Sequence, residues 1–66
     1  MIDQDKKREA MQRAAEHRQR AAQYEALSEE SKQRGEFELS SKFASNAYEE
    51  RNEARKIEDG VSVGKL

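Results

Sequence analysis

The sequence predicts an all-α protein, an antiparallel helical hairpin whose two helices are joined by a turn at Gly35. Three observations support this fold class. The 66 residues are rich in Glu, Arg, Lys, Gln and Ala, which lose little free energy on entering a helix. Proline is absent, and glycine occurs only at positions 35, 60 and 64. Small and apolar residues recur at coiled-coil spacing before and after the first glycine.

The first helix is predicted from about residue 4 to residue 34, because this stretch contains neither glycine nor proline. Asp3 stands where an acidic residue favours a helix start. Glu30 and Arg34 form an acid-first pair at four-residue spacing, which adds about 0.2–0.5 kcal/mol to a helix. Two further pairs of this kind are Glu9 with Arg13 and Glu16 with Arg20. These patterns support a helix without indicating a function.

The second helix is predicted from about residue 36 to residue 59. Gly35 follows a basic last turn and, lacking a Cβ atom, can adopt the left-handed conformation that ends a helix. No glycine or proline interrupts the chain again until Gly60. Residues 1–60 are therefore predicted to form the hairpin, and residues 61–66 to form a flexible C-terminal tail.

A seam of small and apolar residues is expected to hold the two helices together. On the first helix it consists of Ala10, Ala14, His17, Ala21, Tyr24, Ser28 and Ser31. On the second helix it consists of Ser40, Phe43, Ala47, Glu50, Ala54, Ile57 and Val61. Folding about Gly35 pairs positions whose numbers sum to about 71, which sets Ser28 against Phe43 and Tyr24 against Ala47. Large side chains are then expected to meet small ones.

Alanine dominates this seam, so the predicted core is thin. The chain has no cysteine, and neither a disulfide nor a thiolate metal site can compensate for its small size. We therefore expect two hairpins to form a homodimer, a four-helix bundle that gives each helix a second apolar contact. The residues flanking the seam and available for it are Met11, Ala15, Ala22, Ala26, Leu39 and Ala44.

Residues around the turn resemble two known helical hairpins. The spacing of a tetratricopeptide helix pair is matched by Tyr24, Leu27, Ser28, Gly35-Glu36-Phe37, Ser40, Ala44 and Ala47. The hairpin that precedes Smr endonuclease domains is matched by Gly35-Glu36 and Glu38-Leu39-Ser40-Ser41-Lys42. Both likenesses cover less than half of the chain. They imply a shared hairpin design and an interaction role, but no nuclease activity, because the 66 residues contain no Smr domain.

The chain shows no pattern typical of catalysis, of a cofactor or of a metal site. His17 is the single histidine, and without cysteine it cannot complete a usual zinc site. The glycines are too far apart for a phosphate-binding loop. Two acid pairs, Glu29 with Glu30 and Glu49 with Glu50, suggest acid–base chemistry, but a solvated face is the simpler interpretation. We expect no enzyme and no cofactor.

The sequence also gives no reason to expect a membrane protein. No stretch approaches the roughly 20 apolar residues of a membrane span, and no apolar signal core follows the N-terminal charges. A cytoplasmic location is the expectation that follows.

A basic stretch in the first helix raises the question of nucleic-acid binding. Residues 6–20 carry six basic and two acidic residues, a local net charge of +4 that could follow phosphates. The hairpin sets this stretch beside the acidic residues of the second helix, so Arg18 and Arg20 are expected to pair internally. Lys6, Lys7 and Arg8 are expected to extend beyond the shorter second helix.

Taken together, these patterns favour a small non-catalytic interaction or regulatory protein that acts by protein–protein binding, with itself and with another protein. The predicted partner-binding residues are Lys6, Lys7, Arg8, Met11, Leu39 and Phe43. Two alternatives remain open. One is a nucleic-acid-binding regulator that uses the basic face of the first helix on RNA or DNA, and the other is a purely structural assembly segment.

Overall fold

A computed structural model describes residues 4–64 as two α-helices packed against each other. Helix α1 spans Gln4–Gln33 and helix α2 spans Phe37–Ser62. The Cα atoms extend over 53 × 14 × 10 Å, so the molecule is a rod two helices wide. The predicted all-α hairpin is confirmed. Asp3 and the last two residues of the predicted tail, Lys65 and Leu66, lie outside the described residues.

The turn between the helices is built around Gly35, as predicted. Gly35 has a φ of +82°, in the left-handed region that favours glycine. Its N–H donates to the carbonyl of Lys32 at 3.0 Å, and the N–H of Glu36 donates to the carbonyl of Ser31 at 2.9 Å. These two bonds form a Schellman motif, which satisfies carbonyls that the end of α1 would otherwise leave free.

Substitution of Gly35 by alanine is expected to lower the free energy of unfolding by about 1–2 kcal/mol, the cost of a left-handed conformation for an L-residue. A Cβ atom at Gly35 would meet nothing within 4 Å, so the loss comes from the backbone alone. Gly60 is the matched control, because it lies inside α2 without a positive φ. Gly60→Ala is expected to raise stability by about 0.5–1 kcal/mol. Urea denaturation of both variants tests this, and a gain for Gly35→Ala would contradict it.

Helix α2 continues beyond its predicted end at Asp59. It passes through Gly60 and ends at Ser62, so Val61 and Ser62 belong to the helix and not to the tail. A glycine inside a helix costs only about 1 kcal/mol relative to alanine, and half-burial of Val61, a residue of the predicted seam, offsets that cost. The left-handed glycine that follows α2 is Gly64, with a φ of +75°.

The predicted seam is confirmed residue by residue, since all of its members are buried or half-buried. The buried side chains of the described residues are small ones: Ala10, Ala14, Ala21, Ser31, Ser40, Ala47 and Ala54. The large seam residues Tyr24, Phe43 and Ile57 are only half-buried. The hairpin alone therefore has a thin core of alanine and serine.

Two contacts across the seam are not among the predicted pairs. Ser28 and Ser40 exchange hydrogen bonds, each hydroxyl donating to the main-chain carbonyl of the other residue, at 2.9 and 2.8 Å. Tyr24 stacks on Phe43 with ring centroids 6.2 Å apart. In these two contacts small meets small and large meets large, whereas the predicted contacts of Ser28 with Phe43 and of Tyr24 with Ala47 stay predictions. The small residues let the main chains approach, which leaves the aromatic rings together at one edge.

Candidate interaction surface

One side of the seam, which we call the bridged side, is closed by ion pairs between the helices. Arg18 donates two hydrogen bonds to Glu58, from Nε to Oε2 at 2.7 Å and from Nη2 to Oε1 at 2.6 Å. Arg51 pairs with Glu25 on the same side, further toward the turn. The forked arginine–carboxylate geometry fixes direction as well as distance. The expectation that Arg18 pairs internally is confirmed.

The opposite side, which we call the open side, carries the larger apolar residues of the seam. It consists of Arg13, His17, Arg20, Tyr24 and Leu27 of α1 and of Leu39, Phe43, Glu50, Glu53 and Ile57 of α2. Their spacings of three, four and seven residues place them along one face of each helix. Leu27 is 40% exposed and Leu39 is 42% exposed. Apolar side chains therefore reach solvent on this side.

A polar cluster of His17, Arg20 and Glu50 occupies the middle of the open side. His17 Nδ1 lies 2.6 Å from Glu50 Oε1, and Arg20 Nε donates to the same oxygen at 3.2 Å. A carboxylate only accepts hydrogen bonds, so this short contact requires the proton of His17 on Nδ1. The 3.0 Å approach of Arg20 Nη2 to Nδ1 is then a contact between two donors. The cluster neutralises Glu50, and Arg20 pairs internally as expected, although with Glu50 and not with Glu16.

Acid is expected to destabilise the hairpin through two of these glutamates. The hydrogen bond from His17, helped by Arg20, holds the pKa of Glu50 below its ordinary value, and the hydrogen bond from Arg18 does the same for Glu58. A carboxyl whose pKa is lowered in the folded state contributes its full stabilisation at any pH above its pKa in the unfolded chain, which is about 4.3 for glutamate. That stabilisation is lost as the pH falls through the lower pKa of the folded state. Thermal melts across the acidic range should show the decline.

Substitution of single glutamates shows which carboxyl causes this loss of stability in acid. Glu50→Gln is expected to flatten the decline, because the group that titrates has been removed. Glu29→Gln is the control, since Glu29 is exposed and forms no ion pair within residues 4–64. If Glu50→Gln loses as much stability in acid as the unsubstituted protein, the polar cluster does not couple protonation to folding.

The residues predicted to bind a partner fall into two groups at opposite ends of the rod. They are Lys6, Lys7, Arg8, Met11, Leu39 and Phe43. The first four are exposed and lie in the first turns of α1. The last two lie on the open side near the turn, toward the other end of the 53 Å molecule. The structure therefore does not bring the six residues together into one site.

The expected extension of α1 beyond α2 depends on the pair of residues from which it is counted. Counting equal numbers of residues from Ser28 and Ser40 brings Lys7 level with Val61, whereas counting from Arg18 and Glu58 brings it past the end of α2. Helix α2 continues to Ser62, beyond its predicted end at Asp59, which shortens any such extension. That Lys6, Lys7 and Arg8 extend past α2 therefore stays a prediction.

Sequence reasoning did not single out Tyr24 and Leu27 as surface residues. A signal for Leu27 was present in the chain, because Leu27 precedes the seam residue Ser28 as Leu39 precedes Ser40. In antiparallel helices, residues that immediately precede two facing seam residues lie on the same side of the seam. The two leucines thus belong to one surface.

Other kinds of site find little support in the described part of the chain. Residues 4–64 contain no group of three or more His, Cys, Asp or Glu side chains arranged to hold a metal ion. Over the same residues, neither helix is long and apolar enough to cross a membrane. The surface depressions at the turn and along α2 are open grooves, and a third open groove lies between the helices beside Glu25 and Arg51.

Comparison with known proteins adds no relative: no protein-family model matches the chain, and no curated protein or solved structure is significantly similar to it. The tetratricopeptide-like and Smr-associated spacings around Gly35 therefore remain resemblances. They transfer no functional residue to this chain.

Proposed function

We propose that the protein is a small non-catalytic interaction protein that works by protein–protein binding, and that it forms a homodimer, a four-helix bundle, through the open side. The observation that carries this proposal is the distribution of apolar side chains. All buried residues within positions 4–64 are alanine or serine. Four larger apolar residues remain accessible along one continuous side: Tyr24, Leu27, Leu39 and Phe43. The other exposed large apolar residues, Met11, Phe37, Tyr48 and Val63, lie elsewhere on the rod. A second hairpin would cover the four residues on the open side.

The exposed area supports an interface of ordinary size. The chain exposes 5083 Å², whereas a compact monomer of 7.6 kDa exposes about 4,300 Å². The excess of about 800 Å² matches the area that each partner buries in a standard protein–protein interface. A second copy on the open side would cover part of that excess.

A non-catalytic role is supported by the placement of the acidic pairs. Glu29, Glu30 and Glu49 are exposed to solvent, and Glu50 is engaged by His17 and Arg20. None of these carboxylates lies in an enclosed cleft, where burial shifts a pKa toward catalytic use. Their arrangement fits a solvated helical surface.

Sedimentation velocity and thermal melts over a range of protein concentrations test the proposal. We expect a dimer at micromolar concentration and a melting temperature that rises with concentration. Leu39→Asp, on the open side, should dissociate the dimer. Tyr48→Asp should not, because Tyr48 is 64% exposed on another face of α2. A species that stays monomeric up to about 100 µM contradicts the proposal.

A second candidate function, nucleic-acid binding, is favoured by one observation. Lys6, Lys7, Arg8 and Arg13 are exposed and form no ion pair with any residue of the described range. Binding of an RNA or DNA duplex through phosphates should weaken steeply with added salt, whereas an apolar protein interface should not. Loss of such binding in a Lys6→Glu, Lys7→Glu, Arg8→Glu variant would favour this candidate. The third alternative, a structural assembly segment, predicts species that grow beyond the dimer with concentration.

A further inference from the structure

We propose that the two hairpins of the dimer pack with both turns at the same end, so that α1 of each copy lies against α2 of the other. This arrangement rests on the homodimer proposed above and specifies its symmetry. The two-fold axis runs parallel to the helices between the two open sides. The alternative dimer has its axis perpendicular to the helices, with the turns at opposite ends and each helix against its own copy.

The uneven spread of apolar side chains along the open side favours turns at the same end. Tyr24 and Leu27 of α1 and Leu39 and Phe43 of α2 all lie in the half of the rod that contains the turn. Ile57 is the one large apolar residue of the open side in the other half. With the turns together, the apolar half of one hairpin covers the apolar half of its copy. With the turns apart, it would cover charged residues.

Charge on the open side favours the same arrangement. Its α1 edge carries Arg13 and Arg20, and its α2 edge carries Glu50 and Glu53. Within one hairpin Arg20 also pairs with Glu50, and Glu53 pairs with Lys56. With the turns at the same end, the basic edge of one copy faces the acidic edge of the other. With the turns at opposite ends, α1 faces α1 and α2 faces α2, which sets like charges against each other. Juxtaposed like charges disfavour an interface.

These properties also explain why the partner is a second copy. A two-fold interface uses the same patch on both subunits, so the patch must complement itself. The open side has equal numbers of these basic and acidic groups, on opposite edges that the two-fold axis exchanges. A strongly acidic or strongly basic partner would set charges of the same sign against one of those two edges.

Distances between spin labels separate the two arrangements. The chain has no cysteine, so Gln19→Cys and Gln33→Cys each give one labelling site per copy. Both glutamines are exposed. They are 14 residues apart on α1 and hence on the same face of the helix. Gln19 lies near the middle of α1, and Gln33 is its last residue.

Pulsed electron paramagnetic resonance on each labelled dimer then gives one distance per variant. With the turns at the same end, both distances equal the width of the bundle and agree within about 10 Å. With the turns at opposite ends, the two Gln33 labels are displaced by about 40 Å along the axis, at 1.5 Å per residue. A Gln33 distance that exceeds the Gln19 distance by about 20 Å or more overturns the arrangement but leaves the homodimer intact. Sedimentation of the same labelled samples as monomers overturns both.

Discussion

Replacing Ala47 with leucine is expected to lower the free energy of unfolding by roughly 2–3 kcal/mol, the largest loss we predict for a buried alanine. Ala47 is only 1% exposed and lies between the helices. The helices are close together, because the hydroxyls of Ser28 and Ser40 each reach the main chain of the opposite helix. The three additional carbon atoms of leucine would therefore crowd α1. The helices must separate, and the ion pair between Glu25 and Arg51 is lost with the contact. Urea denaturation followed by circular dichroism measures the loss.

Ala26→Leu is the matched control for this experiment. Ala26 lies inside α1, as Ala47 lies inside α2, but Ala26 is exposed. Surface substitutions usually change stability by less than about 0.5 kcal/mol. If Ala47→Leu and Ala26→Leu have equally small effects, the helices are not packed closely at Ala47.

Phe43→Ala is expected to cost about 3 kcal/mol at concentrations where the proposed dimer is populated, close to the value for a fully buried phenylalanine. In the single hairpin Phe43 is half-buried and stacked on Tyr24, so the loss should shrink when the protein is diluted below its dissociation constant. Aromatic stacking alone contributes about 0.5–1.5 kcal/mol. Urea denaturation at a high and at a low protein concentration separates the two contributions.

Tyr48→Ala removes an aromatic ring of similar size from the same helix and serves as the control. Tyr48 is 64% exposed, and its loss should change stability by less than about 0.5 kcal/mol at either concentration. A loss below about 1 kcal/mol for Phe43→Ala at both concentrations would show that the open side is not a packed surface.

The candidate site was only partly predictable from the sequence. Leu39 and Phe43 were identified as partner-binding residues, and the structure places them on the open side. The basic residues Lys6, Lys7 and Arg8 were assigned to the same partner-binding set, although they lie far from that side along the rod. Sequence spacing shows which residues share a face of one helix, but it does not show which edges of two helices come together. The predicted register does place His17 one turn from Glu50, and the structure confirms their contact at 2.6 Å.

The sequence by itself determined the two helices, the turn at Gly35 and the membership of the seam. These features are local: helical periodicity selects a face within one helix, and a left-handed residue after a basic turn ends it. Only the tertiary structure decided that Tyr24 meets Phe43 and that Ser28 meets Ser40. Such pairing depends on the rotation of each helix about its axis and on its position along the other helix. Both are set by how side chains that are distant in the sequence pack against each other. The same long-range packing carries α2 through a glycine that local propensity marks as an end.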